Sequence, residues 1–329
     1  MKEEFIRAED SMEPWYDAAA ALVREVEKVI VGKHHEVVML ITALLAGGHV
    51  LIEDVPGVGK TTLAAALSRA AGLSFKRAQF TPDVMASDIT GFNIYNRRTE
   101  SFDFREGLVM CNILLADEIN RASPKTQSAL LESMEENRVT VDGVSYPLPE
   151  PFMVIATQNP SGYVGTYPLP EAQLDRFCLK LAMGYPAAEE EIQILSSRRT
   201  GNPLETVGAV LDARRIRVMK DICANLHVDE EIYRYIVALS SATRRDENVA
   251  LGASPRASLM LMRIAQAYAF MHRRNYVIPE DIAAVFRHTV AHRILLKQDA
   301  RMGRITADSV LSRILRQTEI PYRGSRNRK

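Results

Sequence analysis

A lysine and a threonine that directly follow two closely spaced glycines are the residues of this sequence best suited to chemistry. They are Gly57, Gly59, Lys60 and Thr61. Glycines let a backbone bend and approach an anion, and the N–H groups at a helix N-terminus bind phosphate. A lysine in this position reaches the β- and γ-phosphates, and the next hydroxyl completes the coordination of Mg²⁺. The pattern therefore predicts a nucleotide-binding loop.

The segments on either side of this loop have the character that a phosphate site needs. Residues 50–52 form a short apolar run that predicts a buried strand, and Lys60 opens a run rich in Ala and Leu that predicts a helix. Asp54 departs from the usual pattern because it stands where the first glycine is expected. Pro56 and Gly57 can supply the turn one residue later. A chance Gly-Lys-Thr in a surface turn is the alternative, and the flanking strand and helix disfavour it.

Two adjacent carboxylates, Asp117 and Glu118, end a second apolar run at residues 111–118. In a phosphate-binding α/β fold, the strand beside the phosphate loop ends near the metal. Asp117 is therefore predicted to bind Mg²⁺, directly or through its water. Glu118 is predicted to orient and deprotonate the attacking water. A solvated strand end or a helix cap is the alternative for this pair.

Two further polar residues follow predicted elements of the same region. Asn159 follows closely after the strand predicted at 152–157, and at that strand tip it can hold the attacking water or sense the γ-phosphate. An ordinary turn-forming asparagine is the alternative, and for this residue alone it is favoured. Arg176 either pairs with Asp175 or Glu171, or is a cation presented to the γ-phosphate of a neighbouring subunit.

Arg256 lies in the first turn of a helix that Ser254 and Pro255 begin, as N-cap and first helical residue. A cation at this position is slightly unfavourable because the helix dipole is positive there. The placement suggests an anionic partner, with an ordinary surface ion pair as the default.

Cysteines and histidines do not indicate a metal site. Cys111, Cys178 and Cys223 lack metal-ligand spacing and occur in apolar contexts typical of core residues. His288 and His292 lie four residues apart and can share a helix face, but without a carboxylate or cysteine set a metal site is disfavoured.

Four more segments carry clear secondary-structure patterns. A helix is predicted from Thr81 to Gly91, and a second at 124–136. Residues 139–146 predict a hairpin with a two-residue Asp-Gly turn. Residues 92–104 alternate aromatic and polar types around a charged tip, which fits a hairpin and a surface loop equally well.

Bulk composition narrows the class of protein. Of 329 residues, 41 are Lys or Arg and 41 are Asp or Glu, so the net charge gives no reason to expect binding to nucleic acid or a membrane surface. No segment predicts a signal peptide or membrane insertion, and a reducing cytosol fits the cysteines. Strand signals end near residue 186. We therefore predict an α/β nucleotide-binding core at 1–186 and a helical domain at 187–329.

Four motifs in this order closely resemble the MoxR family of AAA+ ATPases. They are HVLIEDVPGVGKT at 49–61, ADEINRA at 116–122, ATQNP at 156–160 and LPEAQLDRF at 169–177. The resemblance is dense over 29–183 and looser in the helical remainder. Members commonly carry an aspartate at the position of Asp54.

The resemblance implies a P-loop AAA+ core, a parallel sheet between helices with inserted hairpins, followed by a C-terminal all-helical lid domain. It implies a Walker A motif at 54–61, a Walker B motif at 113–118, Asn159 as sensor 1, Arg176 as arginine finger and Arg256 as a sensor-2 arginine. It makes the two hairpins the helix-2 insert and the pre-sensor-1 hairpin. The predicted nucleotide-binding residues are Asp54, Val55, Pro56, Gly57, Val58, Gly59, Lys60, Thr61 and Thr62, with Thr61 and Asp117 at the metal.

Members of this family typically form hexameric rings and act as chaperone-like remodellers, often with partners that carry a von Willebrand factor A domain. The sequence therefore predicts a Mg²⁺-dependent, cytoplasmic ATPase ring that acts on client proteins. A DNA-acting AAA+ motor is one alternative, which the neutral charge disfavours. A nucleotide-gated scaffold with little turnover is the other.

Overall fold

A computed structural model describes residues 11–158, 167–199 and 201–321. The first part of the chain alternates helices and strands. These elements are α1 (Glu13–Glu27), α2 (His34–Leu45), β1 (Val50–Glu53), α3 (Lys60–Ala70), β2 (Phe75–Gln79), α4 (Ala86–Thr90), β3 (Gly91–Asn96), β4 (Ser101–Glu106), β5 (Ile113–Asp117), α5 (Pro124–Glu136), β6 (Arg138–Val141), β7 (Val144–Pro147), β8 (Met153–Gln158), α6 (Glu171–Leu174) and β9 (Leu179–Leu181).

Five of these strands form a parallel sheet in the order β2-β5-β8-β1-β9. Both faces are covered, as expected of a parallel sheet, and successive side chains enter different apolar clusters. Ile52 and Leu115 face one cluster, whereas Leu51 and Leu114 face the other. Because the strands are parallel, the carboxyl ends of β1, β2, β5 and β8 meet at one edge of the sheet. The predicted α/β core is confirmed.

The predicted helix after Thr81 begins later than expected. Residues 81–84 form a turn in which the Val84 N–H donates to the Thr81 carbonyl at 3.2 Å. Helix α4 starts only at Ala86, where the Asp88 carboxylate accepts the Met85 N–H at 2.9 Å and so caps the first turn. The capping carboxylate, rather than the proline, decides the start.

Both candidate hairpins are present, as the antiparallel pairs β3–β4 and β6–β7. The second turns at Asp142 and Gly143, with φ of +49° and +80°, as the Asp-Gly pattern predicts. The two hairpins also touch. The rings of Phe104 and Tyr146 stack with centroids 3.9 Å apart, and the Asn93 amide donates to Asp142 at 2.8 Å. These contacts join the two hairpins, which we call the joined hairpins.

The rest of the chain is mainly helical, as predicted. Its elements are α7 (Ala188–Arg198), α8 (Ala213–Ala224), α9 (Glu230–Arg245), β10 (Val249–Leu251), α10 (Pro255–Met271), α11 (Pro279–Val290), β11 (Leu295–Leu296), α12 (Gln298–Met302) and α13 (Ala307–Gln317). Strands β10 and β11 form a short antiparallel ribbon that the sequence did not predict. Leu261 and Phe286 from these helices share an apolar core with α1, α2 and α3.

His288 and His292 do not share a helix, because α11 ends at Val290. The His288 ring lies against His35, with their Nε2 atoms 3.1 Å apart, and His292 contacts the Phe177 carbonyl at 2.8 Å. All three cysteines are buried, as predicted. Among the described residues, no helix has the length and apolar character needed to cross a membrane.

We predict that Gly48→Ala loosens the pairing of β1 with β9. A Cβ at Gly48 would lie 2.5 Å from the Cβ of Cys178, so the strands must separate. We expect a loss of about 1–3 kcal/mol in the free energy of unfolding, measured by chemical denaturation. Gly208→Ala is the matched control, because the nearest atom to its added Cβ is 3.9 Å away. Equal stability of the two variants would contradict the prediction.

Candidate functional site

The loop between β1 and α3 has the backbone of a phosphate cradle. Gly57 and Gly59 have φ of +89° and +95°, the left-handed region that glycine adopts without strain. No heavy atom lies within 4 Å of a Cβ placed on Gly57, so the loop is open on that side. Helix α3 begins at Lys60, and the N–H groups of its first turn belong to Lys60, Thr61 and Thr62. An anion held there would meet these N–H groups and the positive end of the helix.

Lys60 is buried, and its ammonium donates to the Asp54 carbonyl at 2.8 Å, across the loop. Burial lowers the pKa of Lys60, because it penalises the charged form. The negative charges of Asp54, Asp117 and Glu118 act in the opposite direction. The lysine therefore lies in the field of both predicted acidic residues, as a phosphate-binding cation beside a metal site must.

The unusual Asp54 has a structural role that a glycine cannot fill. One carboxylate oxygen accepts the Val55 N–H at 2.8 Å. The other accepts the N–H groups of Met183 and Gly184, each at 2.6 Å. The side chain thus fastens the start of the loop to the segment that follows β9. In this arrangement Asp54 reaches the cradle through its carbonyl, the partner of Lys60.

The two predicted carboxylates stand at the carboxyl end of β5, beside a threonine that the sequence analysis overlooked. Thr157, at the end of β8, donates its hydroxyl to Asp117 at 2.6 Å and accepts the Glu118 N–H at 2.9 Å. Strand β8 pairs with both β1 and β5, so Thr157 lies between the phosphate loop and the acidic pair. Its place at the end of a predicted strand was the available signal.

Side chains of β2 contact the same carboxylates from the other side. Arg77 lies 2.8 Å from Asp117, and the Gln79 amide donates to Glu118 at 2.9 Å. Arg121 also contacts Glu118 at 2.9 Å. None of the three was singled out from sequence. Arg77 and Gln79 are two residues apart, so in a strand their side chains share one face. The pairing of β2 with β5, which brings that face to the carboxylates, was not predictable from the sequence.

Glu118 has a backbone φ of +57°, which is uncommon for a residue with a side chain. Such positions persist where the surroundings enforce them, and they concentrate at functional sites. Here the Glu118 N–H donates to Thr157, and the Glu118 carbonyl accepts the Arg121 N–H at 2.9 Å, so both backbone groups are held.

A cleft of about 560 Å³ adjoins the phosphate loop. Its phosphate-side lining includes Pro56, Gly57, Gly59 and Thr62. Its other lining residues are mostly apolar, among them Val29, Ile30, Val31, Val58, Met183, Tyr185, Ile194 and Leu195, and the polar ones are Lys33, Glu191, Ser197 and Arg198. A mostly apolar chamber next to an anion cradle fits a purine base and its phosphates.

Arg176 and Arg256, far apart in sequence, meet at one carboxylate. Glu135, near the end of α5, lies 3.3 Å from Arg176 and 2.9 Å from Arg256. Arg176 also donates to the Leu131 carbonyl at 2.7 Å. The sequence alternatives for Arg176, Asp175 and Glu171, are not the partners found.

The predicted site residues therefore fall into two clusters. The partners of Lys60, Asp117 and Glu118 lie on the loop, on strands β2 and β8 and, for Arg121, directly after β5, whereas those of Arg176 and Arg256 lie on α5. Asn159 lies outside the described residues. One chain thus holds an acidic cluster beside the glycine loop and a separate arginine cluster.

Comparisons with known proteins agree with this architecture. Residues 49–179 match the family described as ATPase family associated with various cellular activities (AAA), and residues 241–314 match the AAA lid domain. YeaC from Bacillus subtilis is 49% identical over 92% of this chain and 95% of its own length. Chaperone MoxR1 from Mycobacterium tuberculosis is 42% identical over 90% of this chain and 81% of its own.

A crystal structure of a proposed ATPase from Cytophaga hutchinsonii has a TM-score of 0.88 and 37% identity, and the match covers 95% of this chain and 98% of that one. The similarity in sequence and in fold to these proteins extends along nearly the whole length of the chain. The chain belongs to the MoxR family of AAA+ ATPases.

Proposed function

We propose that this protein hydrolyses ATP at a site completed by two neighbouring subunits of a ring. The separation of the acidic cluster from the arginine cluster is the observation that carries this proposal. Arginines that serve the γ-phosphate raise the rate strongly, yet here both contact α5 of their own chain rather than the residues around Lys60. Presented to the next subunit's phosphate loop, they would complete its site.

ATP would bind with its base in the apolar cleft and its phosphates in the cradle. Lys60 would exchange the Asp54 carbonyl for phosphate oxygens. Thr61 and Asp117 are oxygen donors of the kind that Mg²⁺ prefers, and when bound the ion neutralises charge on the phosphates. Arg77 now pairs with Asp117, so this ion pair would have to open for Asp117 to hold the metal.

Glu118 is the proposed general base for the attacking water. Gln79 and Arg121 now hold its carboxylate, so it does not point freely at a water. Productive ATP binding would therefore have to turn Glu118 from these partners towards the water. Asn159 is proposed to help hold that water.

The neighbour's arginines would join the site when the γ-phosphate is present. Glu135 now serves as their anion, and its partial exposure lets a stronger anion replace it. After hydrolysis the arginines lose the phosphate and return to Glu135. The contact between subunits thus differs in the two nucleotide states, which couples turnover to movement.

We further propose that the movement remodels a client protein, as the name of the relative Chaperone MoxR1 suggests. The joined hairpins carry exposed aromatic residues, Tyr95 and Phe102, which a client could contact. A hexameric ring and a partner with a von Willebrand factor A domain complete the proposal, with the core at 1–186 and the lid at 187–329.

Glu118→Gln is expected to keep ATP binding and to lose turnover. The amide keeps the shape of the side chain but cannot accept the proton, and loss of a general base typically costs about 10²–10⁴ in rate. Phosphate release and binding of a fluorescent ATP analogue measure the two properties. Glu247→Gln is the control, because that side chain is 83% exposed on the lid. Normal hydrolysis by Glu118→Gln would remove this residue from the mechanism.

Arg176→Ala is expected to lower the turnover of the assembled particle by about 10³-fold or more, with ATP binding retained. Arg234→Ala, an exposed arginine on α9, is the control. Mixing Arg176→Ala with Glu118→Gln should restore activity, because one variant supplies the base and the other the arginine. Persistent inactivity of the mixture would argue against a shared site.

Tyr146→Ala is expected to uncouple the two hairpins without changing basal ATP turnover. It removes the stacking on Phe104, and an aromatic pair contributes about 0.5–1.5 kcal/mol. Amide hydrogen exchange in Gly91–Asn96 and Ser101–Glu106 should accelerate about two- to tenfold, the same energy expressed as an opening equilibrium. Tyr146→Phe keeps the ring and should exchange like the parent; unchanged exchange in the alanine variant would show that the contact does not join the hairpins.

A further inference from the structure

Arg293 is a buried cation that the proposed mechanism leaves unexplained. It ends the short 3-10 helix Ala291–Arg293 and is 4% exposed. One amino group donates to the Phe177 carbonyl at 2.6 Å, and the other lies 3.4 Å from the Asp175 carboxylate. Burial lowers the pKa of Arg293, and Asp175 opposes that shift. A charge in such a place is costly without a partner, so Asp175 and Arg293 depend on each other.

Asp175 also contacts the start of α10. Its second carboxylate oxygen accepts the Ser254 hydroxyl at 3.2 Å. Ser254 is the N-cap of α10 and accepts the Ala257 N–H at 3.1 Å, which places Arg256 in the first turn. Asp175 itself directly precedes Arg176 in the chain. One half-buried carboxylate therefore connects the segments that carry both arginines.

Two kinds of contact hold the segments that carry these arginines. Glu135 pairs with the guanidinium groups themselves, where the carboxylate is 39% exposed and its contacts can be exchanged. The Arg293 side chain is 1% exposed, and the Asp175 oxygen that faces it at 3.4 Å is buried, although the Asp175 side chain as a whole is 22% exposed. The Glu135 contacts are therefore suited to replacement by another anion, whereas the Asp175–Arg293 pair is suited to a fixed connection.

We propose that the Asp175–Arg293 ion pair is the positioning element that fastens the lid to the arginine-finger segment, so that Arg176 and Arg256 reach a neighbour's γ-phosphate as one unit. This inference rests on the proposed shared site. Long arginine side chains on separate elements have wide freedom, whereas transition-state stabilisation needs them placed within a fraction of an ångström. The ion pair removes the relative motion of the two elements, and Glu135 keeps the two guanidinium groups together until phosphate replaces it.

Asp175→Asn is the principal test. The amide has nearly the same volume and can still accept from Ser254, but it leaves Arg293 without a counter-charge. In the assembled particle we expect kcat to fall by about tenfold or more, with KM and the affinity for a fluorescent ATP analogue unchanged within about twofold. Asp281→Asn is the matched control: Asp281 is a buried carboxylate of the same lid, paired with Arg274 at the start of α11. It should lower thermal stability while kcat stays near that of the parent.

Mixed particles separate a positioning role from a general structural one. Asp175→Asn subunits keep a working base, and Glu118→Gln subunits keep working arginines. When the two variants are mixed in equal amounts and assemble at random into a head-to-tail ring, about a quarter of the interfaces combine a working base with working arginines. Activity should therefore rise above that of either variant alone. A defect within the Asp175→Asn subunit's own nucleotide site would give no such recovery.

The mixture of Glu118→Gln with Arg176→Ala distinguishes the two possible failures. If that mixture does not recover, the shared site itself is wrong. If it recovers but the mixture with Asp175→Asn does not, or if Asp175→Asn turns over ATP like Asp281→Asn, the positioning role is wrong. Should Asp175→Asn fail to fold or assemble, Arg293→Lys carries the test: it keeps a buried cation but loses the fork that spans Asp175 and Phe177. Normal kcat in that variant overturns the proposal.

Discussion

The Asp54 carboxylate accepts three backbone N–H groups, and the position of the nucleotide loop depends on them. Hydrogen bonds from backbone N–H groups to an ionised carboxylate are stronger than those between two neutral groups. It joins the end of β1, an inner strand of the sheet, to the segment after the edge strand β9, which leads to the helical part of the chain. The loop, the sheet and the connection to the lid thus share one anchor, while the Asp54 carbonyl holds Lys60 ready for phosphate.

The acidic cluster and the arginine cluster are each neutralised by oppositely charged residues of the same chain. On the sheet edge, Arg77 and Arg121 neutralise the carboxylates of Asp117 and Glu118. On α5, Glu135 neutralises Arg176 and Arg256. Each contact is partly exposed and inexpensive to break. A triphosphate shared by two subunits would exchange both sets at once, which gives a physical reason for turnover to depend on assembly.

The buried and exposed ion pairs near the arginines behave differently for the same reason. Solvent weakens the Glu135 contacts, so they suit a step that must reverse. Exclusion of solvent makes the Asp175–Arg293 pair costly to break, so it suits a fixed joint between α6, α10 and the 3-10 helix. The joined hairpins add a second fixed contact, the stacked rings of Phe104 and Tyr146. Movement would therefore occur between subunits rather than within these joints.

Local patterns were enough for the phosphate loop, the hairpin turn at Asp142 and Gly143, and the N-cap at Ser254, because each depends on residues only a few positions apart. They also indicated Asp117 and Glu118, because the end of a strand can be recognised from the apolar run of that strand alone. They did not indicate Thr157, Gln79, Glu135 or Arg293. These side chains acquire their roles from strand order and helix packing, which join residues tens of positions apart, and only the folded chain sets which distant charges meet.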